Sequence, residues 1–446
     1  MDYSCPDKRS LSSIVSLKFS PLGYEATKRP SCVTIDANEH EQAHNQNSST
    51  SPLRRLSHRR ANSLQPSNNS SDADAGRTLD DLAFLGVSLV RDAAPDPHNQ
   101  GQASYGALAK AGVRFDLFVN GGDLATAVEG LAALQTRYPG AVHEIEGPNE
   151  INNHATFSFA GLTDKHRAAA AYQAALYERV KASPTLKRIP VLAFTDYPAT
   201  PGPCDVANFH AYPDGRGAPG ERLARDADDA SAVAPGEPLV DTEFGYYTQP
   251  MRGALSERGQ ARLILTGLLD NAAHGVRETD LYQLLDAYPD PGARDSEKHY
   301  GLFDINHRPK ASAKMLRRLV QLLQDAAPDA QSFALRSEGV AIKGLPPTAR
   351  TLVIEKATGD TLIAIWDERP VWDAAKATDL EAPQIDLGVQ TPAGQRLASL
   401  IDLVDGTAID PAPASALHVR LGSSPIIVRV SAQGRDNAGL RPAPLK

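Results

Sequence analysis

VHEIEGPNE, residues 142–150, decides how the rest of the chain is read. Val142 and Ile145 give its first half the character of a strand. Gly147 and Pro148 then stop the strand and leave Asn149 and Glu150 at its end. A second stretch, LVDTEFG at residues 239–245, delivers Glu243 in the same way, and a third, VANFHAY at 206–212, delivers His210 and Tyr212. Short apolar runs that finish in polar, reactive side chains are what parallel strands present at the C-terminal edge of an α/β sheet.

Working outward, further apolar runs lie at Val87–Arg91, Phe115–Val119, Ile189–Phe194 and Leu281–Leu285. Helical spacing fills the intervals at Asp123–Tyr138, at Asp164–Ala182 with Thr163 as its N-cap, and at Ser256–His274. It also fits Lys310–Leu323, with Pro309 suited to the first helical position. Strands alternating with helices predict an α/β fold, a (β/α)8 TIM barrel over residues 76–330. Seven strands are visible, so the first strand is uncertain or missing; Cys32–Ile35 is the upstream candidate, across a polar stretch far longer than a barrel loop. Residues 331–446 change to short strands with turns, at Thr351–Lys356, Thr361–Trp366, Gln384–Leu387, Leu397–Asp402, Leu417–Leu421 and Ile426–Val430, and predict a small all-β sandwich. Residues 1–75 are expected to form a disordered low-complexity N-terminal segment. Its Ser-, Asn- and Arg-rich part, residues 45–71, is read as disordered, and the basic tract around Ser57 and Ser63 as a solvated tail rather than a kinase site.

Composition removes several functions. Lys plus Arg is 46 against 54 Asp plus Glu, a net charge of −8, which argues against a nucleic-acid partner. No apolar run approaches a transmembrane segment. Cys5, Cys32 and Cys204 follow neither a disulfide framework nor a zinc pattern. Residues 1–9 carry Asp2, Asp7, Lys8 and Arg9 without an apolar core, so no signal peptide is visible and the compartment is not legible from this end. Gly215, Gly217 and Gly220 match a dinucleotide-binding spacing, but the preceding strand ends polar and Pro219 removes an N–H from the phosphate cradle. No HExxH occurs. No cofactor and no metal are therefore expected.

Two glutamates on facing strands suit glycoside cleavage, where one carboxyl donates a proton to the leaving oxygen and the other attacks the anomeric carbon. Two acids in one cavity also push their proton affinities apart, which those roles require. Arg91 and Asp92, ending the first visible strand, read as an internal ion pair ahead of a site-supporting one. Gln283 and Asp286 point to the same mouth as substrate contacts.

Pro148-Asn149-Glu150 and, three strands later, Thr242-Glu243-Phe244-Gly245 resemble the retaining glycoside hydrolases of clan A, nearest to the family thirty-nine type and its bacterial relatives. Tyr300-Gly301-Leu302-Phe303-Asp304 and Arg308-Pro309-Lys310 are similar to the link into their last barrel helix. The resemblance covers about residues 77–430. It implies a carbohydrate substrate cleaved by double displacement, with Glu150 as acid/base and Glu243 as nucleophile. Asn149 would hold the sugar 2-hydroxyl, and His210 and Tyr212 would orient Glu243. It also implies export. Many clan members stack sugars on a barrel tryptophan, but Trp366 and Trp372 both lie in the third region, so Tyr246, Tyr247, Tyr282 or Tyr288 would replace it. The missing strand and missing tryptophan motivate a rival reading, a non-catalytic carbohydrate-binding or biofilm-associated protein with a degenerate hydrolase barrel.

Overall fold

A computed structural model describes residues 14–18, 32–33, 74–95, 102–324 and 340–432, apart from 214–216, 218, 252, 287, 357–358, 392–393 and 410–415. The tract of residues 45–71 lies outside them, as do Gly215, Arg216 and Ala218 of the glycine-rich stretch. In chain order the described elements are β1 (Ile14–Lys18), β2 (Cys32–Val33), α1 (Ala75–Leu85), β3 (Leu89–Ala93), α2 (Gln102–Lys110), β4 (Arg114–Phe118), α3 (Leu124–Arg137), β5 (Val142–Glu146), α4 (Lys165–Ala182), β6 (Val191–Leu192), β7 (Ala207–Ala211), α5 (Gly220–Val233), β8 (Leu239–Phe244), α6 (Glu257–His274), β9 (Glu278–Leu281) and α7 (Ala311–Leu323). Short strands follow from Ala341 to Ala432.

Local chemistry sets the helix ends. α1 begins where the Asp74 carboxylate accepts the Gly76 and Arg77 N–H groups, and stops at Gly86, whose φ of 79° a Cβ would disfavour. α4 is capped by Asp164, which accepts the Arg167 N–H, rather than by Thr163. A carboxylate there also meets the positive end of the helix dipole. α7 starts at Ala311, two residues beyond Pro309, because Lys310 stays extended and sends its ammonium inward to Thr248 and Asp286.

The main sheet is mixed. β3, β4, β5 and β6 pair in parallel, as do β7, β8 and β9, and a parallel bridge between Leu192 and Val206 links the two sets. β1 lies between β3 and β9 and runs antiparallel to both, with Val15 opposite Val90 and Leu281. Cys32 and Val33 do not take that place; they pair in parallel with Val353 and Ile354 of the C-terminal sheet. IVSLK supplies five residues in register with its neighbours, whereas Cys32–Val33 supplies only two. β9 also starts earlier than the apolar run suggested. Glu278, Thr279 and Asp280 form most of it and are almost fully buried, so its interior does not read as apolar.

Leu117, Leu131, Ile145, Leu176, Val191 and Leu268 pack sheet against helices, each burial contributing about 1.5–3 kcal/mol. Among the C-terminal strands, Ile363, Ile365, Val428 and Val430 of a six-stranded sheet face Leu387, Val389, Val419 and Leu421 of a three-stranded one. Apart from the short Cys32–Val33 pairing, both sheets are antiparallel. The outer face of the larger sheet packs on α6 and α7. Trp366 Nε1 donates to Asp270 at 2.8 Å, Arg262 reaches Glu381 and Ser424, and Lys356 donates to the Leu322 and Gln324 carbonyls. Trp366 and Trp372 are both buried in this shared core. Among the described residues, no helix is long and apolar enough to cross a membrane.

Candidate active site

The turn after β5 is built around a close approach. A Cβ on Gly147 would stand 1.9 Å from Gln173 Oε1 and 2.8 Å from Phe194 Cβ, so only glycine lets the chain pass. Glu150 then takes a φ of 48°, a strained value for a residue with a side chain. Thr195, beyond β6, holds it there. Its Oγ1 accepts the Glu150 N–H at 2.8 Å, its carbonyl accepts the Ile151 N–H at 3.0 Å, and its own N–H donates to Pro148 at 3.1 Å. Strain fixed by three hydrogen bonds sets the direction of the Glu150 side chain.

That direction meets β7 and β8. His210 Nδ1 donates to Glu150 Oε1 at 3.1 Å and lies 3.7 Å from Glu243 Oε2. Tyr212 donates its hydroxyl to Glu243 Oε2 at 2.7 Å. Carboxylate oxygens of Glu150 and Glu243 and a ring nitrogen of His210 all lie within 4.8 Å of one another. Beneath them Arg91 is completely buried. Its Nη1 donates to Glu243 Oε1 at 2.8 Å, its Nη2 to Asn149 Oδ1 at 2.7 Å, and its Nε and Nη2 to the two oxygens of Glu146 at 2.6 and 2.8 Å. The Phe118 ring covers the guanidinium, 4.7 Å from its centroid.

The contacts of His210 bear on its charge. Thr242 donates its hydroxyl proton to Asn208 Oδ1 at 2.6 Å, so toward His210 Nε2, 3.1 Å away, its oxygen accepts. Arg91 Nη2 also faces that nitrogen, 3.5 Å away, and works against a positive charge on the ring. Burial works against that charge, but the Glu243 charge and the bond to Glu150 outweigh it, even against Arg91, and the His210 pKa is raised. Burial, then Glu243 and Glu150, push the Tyr212 phenol well up and keep it a donor.

Arg91 and Asp92 do not form the ion pair the sequence suggested. Adjacent residues on a strand point to opposite faces. Arg91 turns to Glu146 and Glu243, while Asp92 accepts the Ala93 N–H at 2.7 Å. Burial raises the Asp92 pKa to about 7 against the opposing effects of that bond, Arg91 and Tyr105. The folded state therefore holds a proton that the unfolded chain releases above its ordinary carboxylate range, so Asp92 makes stability fall as pH rises from about 4 to about 7. Asp92→Asn is expected to stabilise the fold by roughly 2–4 kcal/mol at pH 7 and by little at pH 4. Urea unfolding at the two pH values checks this, and an equal gain at both would refute it.

The remaining expected contacts divide. Tyr282 joins an edge-to-face cluster with Tyr212 and Tyr300, at centroid separations of 6.3 and 5.3 Å, and donates to Glu297 Oε2 at 2.8 Å. Tyr247 extends the cluster onto Tyr300 at 5.4 Å. Tyr246, the next residue along the chain, is turned into the core against Phe244. Gln283 is 3% exposed and donates to the Glu297 carbonyl, so it secures the loop that carries Glu297. Asp286 is held by Lys310 at 2.7 Å and lines a cavity of about 480 Å³ with Tyr288, Asp290 and His299. Arg91, Glu146, Thr195, Tyr300 and Glu297 were not picked out as site residues. An arginine in an otherwise apolar strand run was the one available signal.

Among the described residues, three groups of acids and histidines have ligand atoms close enough for a cation: Glu150–His210–Glu243, Asp116–Glu278–Asp280 and Asp116–His143–Glu144. At the first, the Arg91 guanidinium paired with Glu243 opposes a further positive charge. The second lies inside the sheet, where burial, then Glu278, Glu144 and Asp280, push the Asp116 carboxyl well up.

No protein-family model matches the sequence, and neither does any curated protein. Among solved structures, the chain is similar to a family 39 glycoside hydrolase from the gut symbiont Bacteroides cellulosilyticus WH2, at 14% identity and a TM-score of 0.54, covering 82% of this chain and 79% of that one. A β-glucuronidase from an uncultured Clostridium sp. aligns at 17% identity and a TM-score of 0.42, over 56% of this chain and 47% of that one. A family 17 β-1,3-glucanosyltransferase from Rhizomucor miehei aligns at 16% and 0.41, over 55% and 91%. The chain thus shares the fold of the family 39 glycoside hydrolase across most of its length.

Proposed function

We propose that the chain is a retaining glycoside hydrolase, with residues 76–330 as an eight-stranded catalytic barrel and 331–446 as a β-sandwich. The observation that carries this is the approach of Glu150 and Glu243, one oxygen of each lying within 4.8 Å of one oxygen of the other. Retaining enzymes hold their two carboxyl groups about 5–5.5 Å apart, and inverting ones about 6.5–9.5 Å, to admit a water. Glu243, held by Arg91 and Tyr212, attacks the anomeric carbon while Glu150 gives its proton to the leaving oxygen. Glu150 then draws a proton from the water that releases the sugar. With its Oδ1 on Arg91, Asn149 offers the sugar 2-hydroxyl its amide N–H groups. Tyr212, Tyr247, Tyr282 and Tyr300 supply the aromatic wall.

The experiment is a panel of nitrophenyl β-glycosides, with the first-formed sugar followed by NMR. The account expects release of the β-anomer; an inverted product would refute retention. The antiparallel run of β1 favours the rival reading, a carbohydrate-binding protein without turnover. Binding of polysaccharide with no cleavage anywhere in the panel would establish it.

A further inference from the structure

Resting on that reading, we propose that Glu146 is a positioning residue that keeps Arg91 paired with an anion while Glu243 loses its charge. In the first step a Glu243 oxygen bonds to the anomeric carbon, the bond from that carbon to the leaving oxygen breaks, and Glu150 passes its proton to that oxygen. Glu243 changes from a carboxylate to a neutral ester, but Arg91 keeps its charge. Arg91 has no exposure to water and is roofed by Phe118. A buried charge that loses its partner is severely destabilising.

Glu146 removes that difficulty. It is itself fully buried, and both its oxygens accept from Arg91 along one edge of the guanidinium, leaving Nη1 for Glu243. This fork-to-fork geometry is the strongest form of the pair. Burial works against the Arg91 charge, yet the negative charges of Glu146 and Glu243, with a smaller effect of Asp280, raise its pKa. Glu146, whose two oxygens accept from Nε and Nη2, is the anion still bonded to Arg91 after esterification. The charge change is then confined to the reacting carboxyl group.

Glu146→Gln keeps the side-chain volume and an acceptor oxygen but removes the charge. Forming the ester then strands Arg91, and breaking the ester restores its partner. The two steps shift in opposite directions. Inactivation by a dinitrophenyl 2-deoxy-2-fluoroglycoside, made from whichever sugar the native enzyme cleaves, slows about a hundredfold. Reactivation of the trapped enzyme becomes severalfold faster. A residue that only supports the fold would slow both steps. Glu146→Asp keeps the charge and is expected to change both steps in the same direction. Opposite shifts in the glutamine variant support the proposal; parallel shifts, or none, overturn it. If that variant does not fold, the crystal structure of the trapped native enzyme decides. Arg91 still on both Glu146 oxygens supports the proposal, and a guanidinium swung away or joined by another anion overturns it. Failure of the native enzyme to be labelled at all would count against the glycosidase reading rather than against this role.

Discussion

Alanine at position 243 is expected to lower kcat/KM on any glycoside the native chain cleaves by about 10⁴-fold or more. Glu243 is the carboxylate held by both Arg91 and Tyr212, and no other carboxylate receives both bonds among the described residues. The loss should not come from unfolding. Arg91 keeps its two bonds to Glu146 when Glu243 is removed, so the melting temperature should change by only a few degrees. Activity assays and a thermal melt on one preparation check both halves. An active Glu243→Ala protein would refute the assignment.

Glu150→Ala is expected to lose turnover in proportion to the difficulty of the leaving group. Sugars and simple alcohols need a proton as they depart, and the loss there should be about 10²–10⁴-fold. Dinitrophenolate leaves without one, so the first step should be nearly normal on dinitrophenyl glycosides and the second step slow. Added azide attacks without a general base and should restore turnover of that substrate. The comparison is read from steady-state rates with and without azide. Equal losses on both leaving groups, without rescue, would show that Glu150 is not the acid/base. Its strained backbone and its bonds to Thr195 are then without a chemical purpose.

Much of this site was legible because the chain punctuates it. Gly147-Pro148 after β5 and Gly245 after β8 end their strands, and the glutamates stand beside the breaks. Gly245 is required for packing too, since a Cβ there would meet the Tyr282 carbonyl at 2.1 Å. Three features were not legible. The direction in which neighbouring side chains turn was one. Tyr246 and Tyr247 are identical neighbours, yet one packs in the core and the other on Tyr300, and sequence does not say which face each takes. Within β3, strand alternation likewise separates Arg91 from Asp92. Buried acids were the second. Glu278 and Asp280 hid β9 because strand patterns are read from apolar residues. Pairing across long sequence distances was the third. IVSLK and CVTI look alike as strands, and only the two-sided register of Ile14–Lys18 against β3 and β9 places it in the main sheet.

The central claim is that the Glu243 oxygen becomes covalently bound to sugar. It is tested most directly by incubating the intact protein with an activated 2-fluoroglycoside, weighing it, and sequencing the labelled peptide. The account predicts a mass gain of one fluorosugar, carried on the side chain of Glu243. A label on another residue, or substrate turned over with no adduct and an inverted product, would contradict it.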